Sequence, residues 1–527
     1  MLNTILNKKS FNLIIAIIVA IFTAGYLRVH FVTYFPDPDG GFYTYIAQEI
    51  NAALSNGQNI PSQMTLHMYP LITSWVFSLD INHYIALRWI DLLAAVLASF
   101  LFYKIILKES GSTIFTIILA GSALLVMNDK NLVLYGYRNS IWVSYIPLFG
   151  ALLFWQSISQ ANSHKFYLIG ALVTLGVLLR EPFLPLFIIG GISILIGYGW
   201  NSIYKYLIGS ALLGIVSFGF ILINREGTLI ELINSYSYKI ISINHYVIKN
   251  AFLDIGLSMF KVFWFGIFFS IISIFYATKL FQQNKNLINI NRYLFWGALA
   301  IIPILEPVFK SPIPYHFANC IPGLVGLSAI GWNYISLNQS KKANRYNISI
   351  IILICLYGIY PNLSASLNSK MLKQKNAVTN AYNALWVDSY SDKEQMKWSA
   401  LLLIADVIKR SSNKDSTLSV MNYSQALYPI TGLRPPLFEM QDLNALYSIL
   451  LEEDESKLID MLKKYQPTII TTIIYRFPGI QEIPGVQEMP DIIRKTDLYE
   501  KIITVTSPNM LMGDVYRLKD FKKIKLE

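Results

Sequence analysis

The chain has 527 residues, 54% of them hydrophobic and only 14% charged, with a mean hydropathy of +0.44. That is far more apolar than a water-soluble domain requires, so the composition argues against a soluble fold and for a polytopic, α-helical membrane protein. The net charge of +11 does not point to nucleic acid, because the basic residues stand in short clusters between apolar stretches, as they do at cytoplasmic loop ends.

A helix needs roughly 17 to 25 apolar residues to cross the hydrocarbon core, and about eleven stretches qualify. They lie near 11–27, 86–107, 112–128, 140–158, 165–179, 182–199, 205–223, 260–278, 293–309, 317–337 and 346–363. The first follows Lys8 and Lys9 as a signal peptide would. Arg28, His30 and bulky residues replace the small residues of a cleavage site, so it reads as an uncleaved span. Arg180-Glu-Pro182 marks either a turn between two spans or a single broken helix.

If every stretch crosses once, Lys8/Lys9, Lys104/Lys108, Lys165, Lys205, Lys279/Lys285/Arg292 and Lys341/Lys342/Arg345 share one side. The positive-inside rule makes that side, and the N-terminus with it, cytoplasmic. The outer side then holds the 28–85 loop, 128–139, the Arg180-Glu181 turn, 224–259, 306–316 and everything beyond residue 363. Cys320 and Cys355 both fall in apolar stretches and read as packing residues, neither a disulfide framework nor a metal site.

After residue 364 the composition changes. Short β-rich runs at 417–421, 468–474 and 499–505 alternate with helical patterns at 395–410 and 442–464, which predicts an α/β or α+β soluble domain. The expected division is a membrane domain over 1–363 and an extracytoplasmic domain over 364–527.

The chemistry concentrates on the outer side. The first outer loop carries Tyr34-Phe-Pro-Asp37-Pro-Asp39-Gly-Gly-Phe-Tyr43, two carboxylates among turn residues ahead of a helix. Beside an apolar surface a carboxylate can gain a raised pKa and accept a proton from an attacking hydroxyl. The same residues also read as turn chemistry and an N-cap. Arg88 stands near the start of the second span with Asp91 at i+3 as a ready ion-pair partner. Arg138, Arg180, Lys310 and His316 lie at outer helix ends, where converging cations suit a phosphate or pyrophosphate head group and single ones serve as interfacial anchors. No Gly-x-x-x-x-Gly-Lys-Ser/Thr loop, Gly-x-Ser-x-Gly elbow or His-Glu-x-x-His pair occurs, so ATP-driven transport and serine or zinc hydrolysis have no support.

The order of these motifs resembles the GT-C superfamily of integral-membrane glycosyltransferases, in the branch of the protein O-mannosyltransferases and the lipid A aminoarabinose transferases. Their outer-loop Asp-Glu-x-x-Tyr followed by Ile-Ala is matched by Asp39-Gly-Gly-Phe-Tyr43 and Ile46-Ala47, with Gly40 in place of the second acid. Pro70-Leu71, Ala86-Leu-Arg88, Arg180-Glu-Pro182 and Tyr315-His316 with Pro322 continue the likeness. So does Leu427-Tyr-Pro-Ile-Thr-Gly-Leu-Arg-Pro435 in the soluble domain.

The resemblance implies transfer of a sugar from a polyprenyl-phosphate carrier to a lipid, glycan or protein acceptor on the outer face of a bacterial inner membrane, with inversion at the anomeric carbon. It implies Asp39 as base and Asp37 as its neighbour or a metal ligand. Arg138, Arg180, Lys310, His316 and Tyr43 would hold the donor phosphate. Some members use a divalent ion, for which Asp37 and Asp39 are the residues on offer.

Three other readings predict different features. A lipid-linked glycan polymerase or ligase predicts an Arg-rich late outer loop, whereas 224–259 has only Arg225. A transporter or flippase predicts ionisable residues at mid-bilayer and inverted repeats. A docking protein predicts indifference to Asp39→Asn.

Overall fold

The computed structural model describes residues 9–30, 32, 38–60, 68–128, 139–158, 163–180, 183–228, 230, 263–275, 287–309, 318–337, 341–367, 376, 378–379, 398–421, 425–443, 446, 455–475, 488–506 and 511–521. The chain divides into two compact units. One comprises Met1–Val29, His67–Tyr69 and Trp89–Lys373; the other comprises His30–Leu66, Pro70–Arg88 and Gln374–Glu527.

The first unit is helical, and a helix lies over each apolar stretch named above. Ser10–Val29, His83–Ser110 and Trp200–Asn224 are long and apolar enough to cross a membrane. Thr113–Met127, Ile141–Trp155, Lys165–Leu179, Leu184–Tyr198, Phe263–Phe275 and Tyr346–Tyr360 are shorter apolar helices. The first helix passes through a π-helical turn at Ile21–Tyr26 before ending at Val29. At Arg180 the backbone turns extended (φ −153°, ψ 103°), and the next helix begins at Leu184 with Pro185 in its first turn. Pro185 is tolerated there because a proline in the first turn of a helix loses no hydrogen bond.

Close packing and interhelical hydrogen bonds join the helices of this unit. Phe115 stacks on Trp332 at 4.9 Å, and the Tyr145 hydroxyl donates to Asn319 Oδ1 at 2.9 Å. At the end of the His83–Ser110 helix the buried Glu109 carboxylate accepts from Gln156 Nε2 at 2.7 Å, Trp296 Nε1 at 3.4 Å and Arg292 Nη1 at 3.4 Å. One carboxylate thereby ties three helices. Cys320 and Cys355 are buried free thiols.

The second unit holds a four-stranded mixed sheet in the order β1-β2-β4-β3, with β1 at Leu418–Val420, β2 at Ile469–Tyr475, β3 at Tyr499–Thr506 and β4 at Leu511–Leu518. β1 and β2 run parallel, and β4 pairs antiparallel with both β2 and β3. A parallel pair needs a crossover, and the amphipathic Glu455–Tyr465 helix lies in the connection between β1 and β2. Met421, Met440, Leu458, Leu462, Ile470 and Ile493 are among the residues of its core. The N-terminal part of this unit contributes the Pro38–Ser55 helix, the Met68–Thr73 helix from Pro70 onward and the first residues of the His83–Ser110 helix.

Candidate functional site

Of the candidate stretch around Asp37 and Asp39, Pro38 and then Asp39 open the Pro38–Ser55 helix. Proline at the first helical position has its φ set in advance and loses no hydrogen bond there. Thr44 Oγ1 donates back to Gly40 O at 2.7 Å and closes the first turns.

Gly41, Tyr45 and Glu49 recur at i, i+4 and i+8 and so fall on one face of this helix. All three contact the segment from Ala426 to Phe438. A Cβ on Gly41 would stand 2.9 Å from Ala426 N, a separation real Cβ atoms do not reach, so glycine is required. The buried Tyr45 ring lies 4.5 Å from Tyr428 and 6.2 Å from Phe438. Burial above all, and then the charge of Glu49, pushes the Tyr45 phenol well above its ordinary pKa. Its hydroxyl has no hydrogen-bond partner among the described residues.

Glu49 has only 5% of its side chain exposed, and a carboxylate so desolvated requires a partner. Arg434 supplies a fork: Nε donates to Oε1 at 2.7 Å and to Oε2 at 3.0 Å, and Nη2 also donates to Oε2. Such planar bidentate geometry is specific to a guanidinium.

The turn that presents Arg434 explains the Tyr-x-x-Thr-Gly spacing residue by residue. Tyr428 donates its hydroxyl to Gln441 O at 3.0 Å, and Thr431 Oγ1 donates to Leu427 O at 2.6 Å. Gly432 takes a left-handed conformation (φ 76°) that ends the Leu427–Thr431 helix. Arg434 then meets the sheet, where its carbonyl accepts from Leu418 N at 2.9 Å.

The charged residues of the His83–Ser110 helix pair differently from the i, i+3 expectation. Asp91 takes the Arg28 guanidinium, both side chains being almost fully buried. Arg28 also reaches Asn128 Oδ1 at 3.5 Å and lies 5.5 Å from the Trp142 ring. Arg88 donates to Val32 O at 3.1 Å and Tyr84 Oη at 2.6 Å, with its guanidinium 4.4 Å from the Tyr84 ring. Spacing along one helix identified a local partner, but the partner Asp91 takes comes from the first helix.

Of the candidate phosphate ligands, Arg180 is buried at the C-terminal end of the Lys165–Leu179 helix, where a cation complements the dipole. Its backbone N–H donates to Gly176 O at 3.0 Å and Val177 O at 3.1 Å. Tyr43 is half-buried on the Pro38–Ser55 helix, with its ring 6.0 Å from Phe42. Asp37, Arg138, Lys310, His316 and the Asp39 side chain lie outside the described residues. Among the described residues no group of three or more metal-ligating side chains converges.

Glu49, Arg434 and the Arg28–Asp91 pair were not singled out as site residues from the sequence. A signal for Arg28 was present, since a guanidinium closing an apolar helix demands a partner. Glu49 offered only a lone acid in an otherwise weakly polar helix. No family model matches the chain, and no curated protein matches it.

Proposed function

We propose that the chain is a GT-C-type glycosyltransferase of the bacterial inner membrane. It moves a sugar from a polyprenyl-phosphate donor to a lipid, glycan or protein acceptor on the outer face. The apolar helices span the bilayer about eleven times, with the N-terminus cytoplasmic and the C-terminal domain periplasmic.

One observation carries the reading. Two stretches on which the resemblance rests, Asp39–Ala47 and Leu427–Pro435, stand far apart in the sequence yet pack on each other through Tyr45–Tyr428, and Glu49, two residues beyond the first stretch, pairs with Arg434 of the second. Independent turn chemistry at either place gives no reason for that meeting.

In the proposed reaction the acceptor hydroxyl attacks the anomeric carbon, the bond from that carbon to the carrier phosphate breaks, and the hydroxyl proton passes to Asp39. Configuration inverts. Arg138, Arg180, Lys310 and His316, with Tyr43, stabilise the charge that develops on the departing phosphate. Asp37 stands beside the base. No step is assigned to a metal.

The test is sugar transfer by the purified protein from a panel of undecaprenyl-phosphate sugars, wild type beside Asp39→Asn and Asp37→Asn. Turnover of one donor that Asp39→Asn lowers by at least ~10²-fold is the expected result, the scale of a lost general base. Absence of turnover with every donor, with membrane extract supplied as acceptor, refutes the reading. A transporter or docking role then takes its place.

A further inference from the structure

We infer that the Ala426–Arg434 segment of the C-terminal domain sets the position of the helix carrying Asp39, with Glu49 and Arg434 as positioning residues for transfer. The inference rests on the glycosyltransferase reading.

The contacts are arranged to fix a helix, beyond merely burying it. Gly41 allows backbone-to-backbone approach at one end, Tyr45 fills the middle against Tyr428, and the Arg434 fork grips Glu49 at the other. Gly41 and Glu49 are eight residues apart, about 12 Å along the axis. Sliding by one residue would turn the helix about 100° and strip all three contacts from the stripe.

The grip is anchored in turn. Arg434 bonds through its own carbonyl to the first residue of β1, so a continuous path runs from the sheet, through the fork, to the helix. Asp39 opens the helix two residues before Gly41 and ten before Glu49.

The lever arm explains why the far contact matters to chemistry. Ten helical residues span about 15 Å, so a tilt of about 4° pivoting at Glu49 displaces residue 39 by about 1 Å. A misplacement of about 1 Å is enough to lower a rate by roughly 10²-fold when the reacting groups must meet in line. Glu49 and Arg434 need never touch the substrate for this to hold.

The test uses the full-length protein in lipid nanodiscs with the donor that wild type turns over. Glu49→Gln and Arg434→Lys are compared with the charge exchange Glu49→Arg/Arg434→Glu. Expected is a 10- to 100-fold fall in kcat for Glu49→Gln with KM for the donor changed less than threefold, a smaller fall for Arg434→Lys, and partial recovery in the exchanged pair. Amide exchange over residues 40–50 should rise in the single variants and fall back in the exchanged pair.

If kcat is unchanged in both single variants while amide exchange over 40–50 rises, the contact is structural only and the inference fails. That failure leaves the glycosyltransferase reading intact, because wild type still turns over and Asp39→Asn does not. If wild type turns over no donor, both fall. Should Glu49→Gln fail to fold, Arg434→Lys, which keeps the charge and loses the fork, must show a fall in kcat with KM changed less than threefold or the inference is overturned.

Discussion

Replacing Arg28 by Met removes the partner of a carboxylate that has almost no contact with solvent, since Asp91 is 1% exposed. Among the described residues Asp91 Oδ2 accepts from Arg28, and Oδ1 has no hydrogen-bond partner. The variant therefore strands a desolvated charge, which typically costs about 3–5 kcal/mol. At one decade per 1.4 kcal/mol this raises the equilibrium population of opened molecules about 10²- to 10⁴-fold.

Cys320 and Cys355, 2% and 1% exposed, provide the readout. Maleimide labelling of these thiols in mild detergent is slow in the closed protein and tracks opening when closing is fast. Arg28→Met is expected to accelerate labelling by that factor, whereas Arg28→Met/Asp91→Leu, which replaces both charges by apolar groups, is expected to return to within about tenfold of wild type. A single variant that labels less than about fivefold faster, roughly 1 kcal/mol, would refute the reasoning. So would a double variant that is simply the sum of two single losses.

Further expectations follow from other polar groups. Tyr45→Phe deletes a buried hydroxyl that finds no partner among the described residues, and should leave stability at neutral pH unchanged or higher by up to about 1–2 kcal/mol. Because burial raises the Tyr45 pKa, its contribution is fully present below the ordinary phenol value of about 10 and is lost as pH climbs beyond it toward the folded value. Unfolding midpoints of Tyr45→Phe between pH 8 and 11 should therefore decline less than those of wild type. Glu109→Ala leaves the Gln156 amide with Ile105 O alone and takes the acceptor of the Trp296 indole N–H, at a cost of roughly 1–3 kcal/mol. Glu109→Gln should cost about half as much by the same thiol-labelling assay.

The helices were legible because apolar runs of that length tolerate little else, and the break after Arg180 because two prolines, Pro182 and Pro185, follow it. The runs that became β1, β2 and β3 were visible as β-rich segments. β4 was not, since Gly513 and Asp514 interrupt its pattern, and its place between β2 and β3 is fixed by pairing with both. Asp91 shows a different limit. A partner three residues away could be read from spacing, whereas the partner it takes lies 63 residues away. The docked stripe of Gly41, Tyr45 and Glu49 was equally hidden, because each residue is unremarkable until the Tyr428–Arg434 turn stands opposite.

The pairing of Glu49 with Arg434 also has a history in time. These residues are separated by 385 positions, and at about 5–20 residues per second a ribosome needs roughly 20–80 s to travel from one to the other. Throughout that interval the Pro38–Ser55 helix has been made but its companion turn has not. The growing chain therefore holds Tyr45 and Glu49 without the partners of the folded protein until the Leu427–Arg434 turn has been made, and no local segment can stand in for that turn.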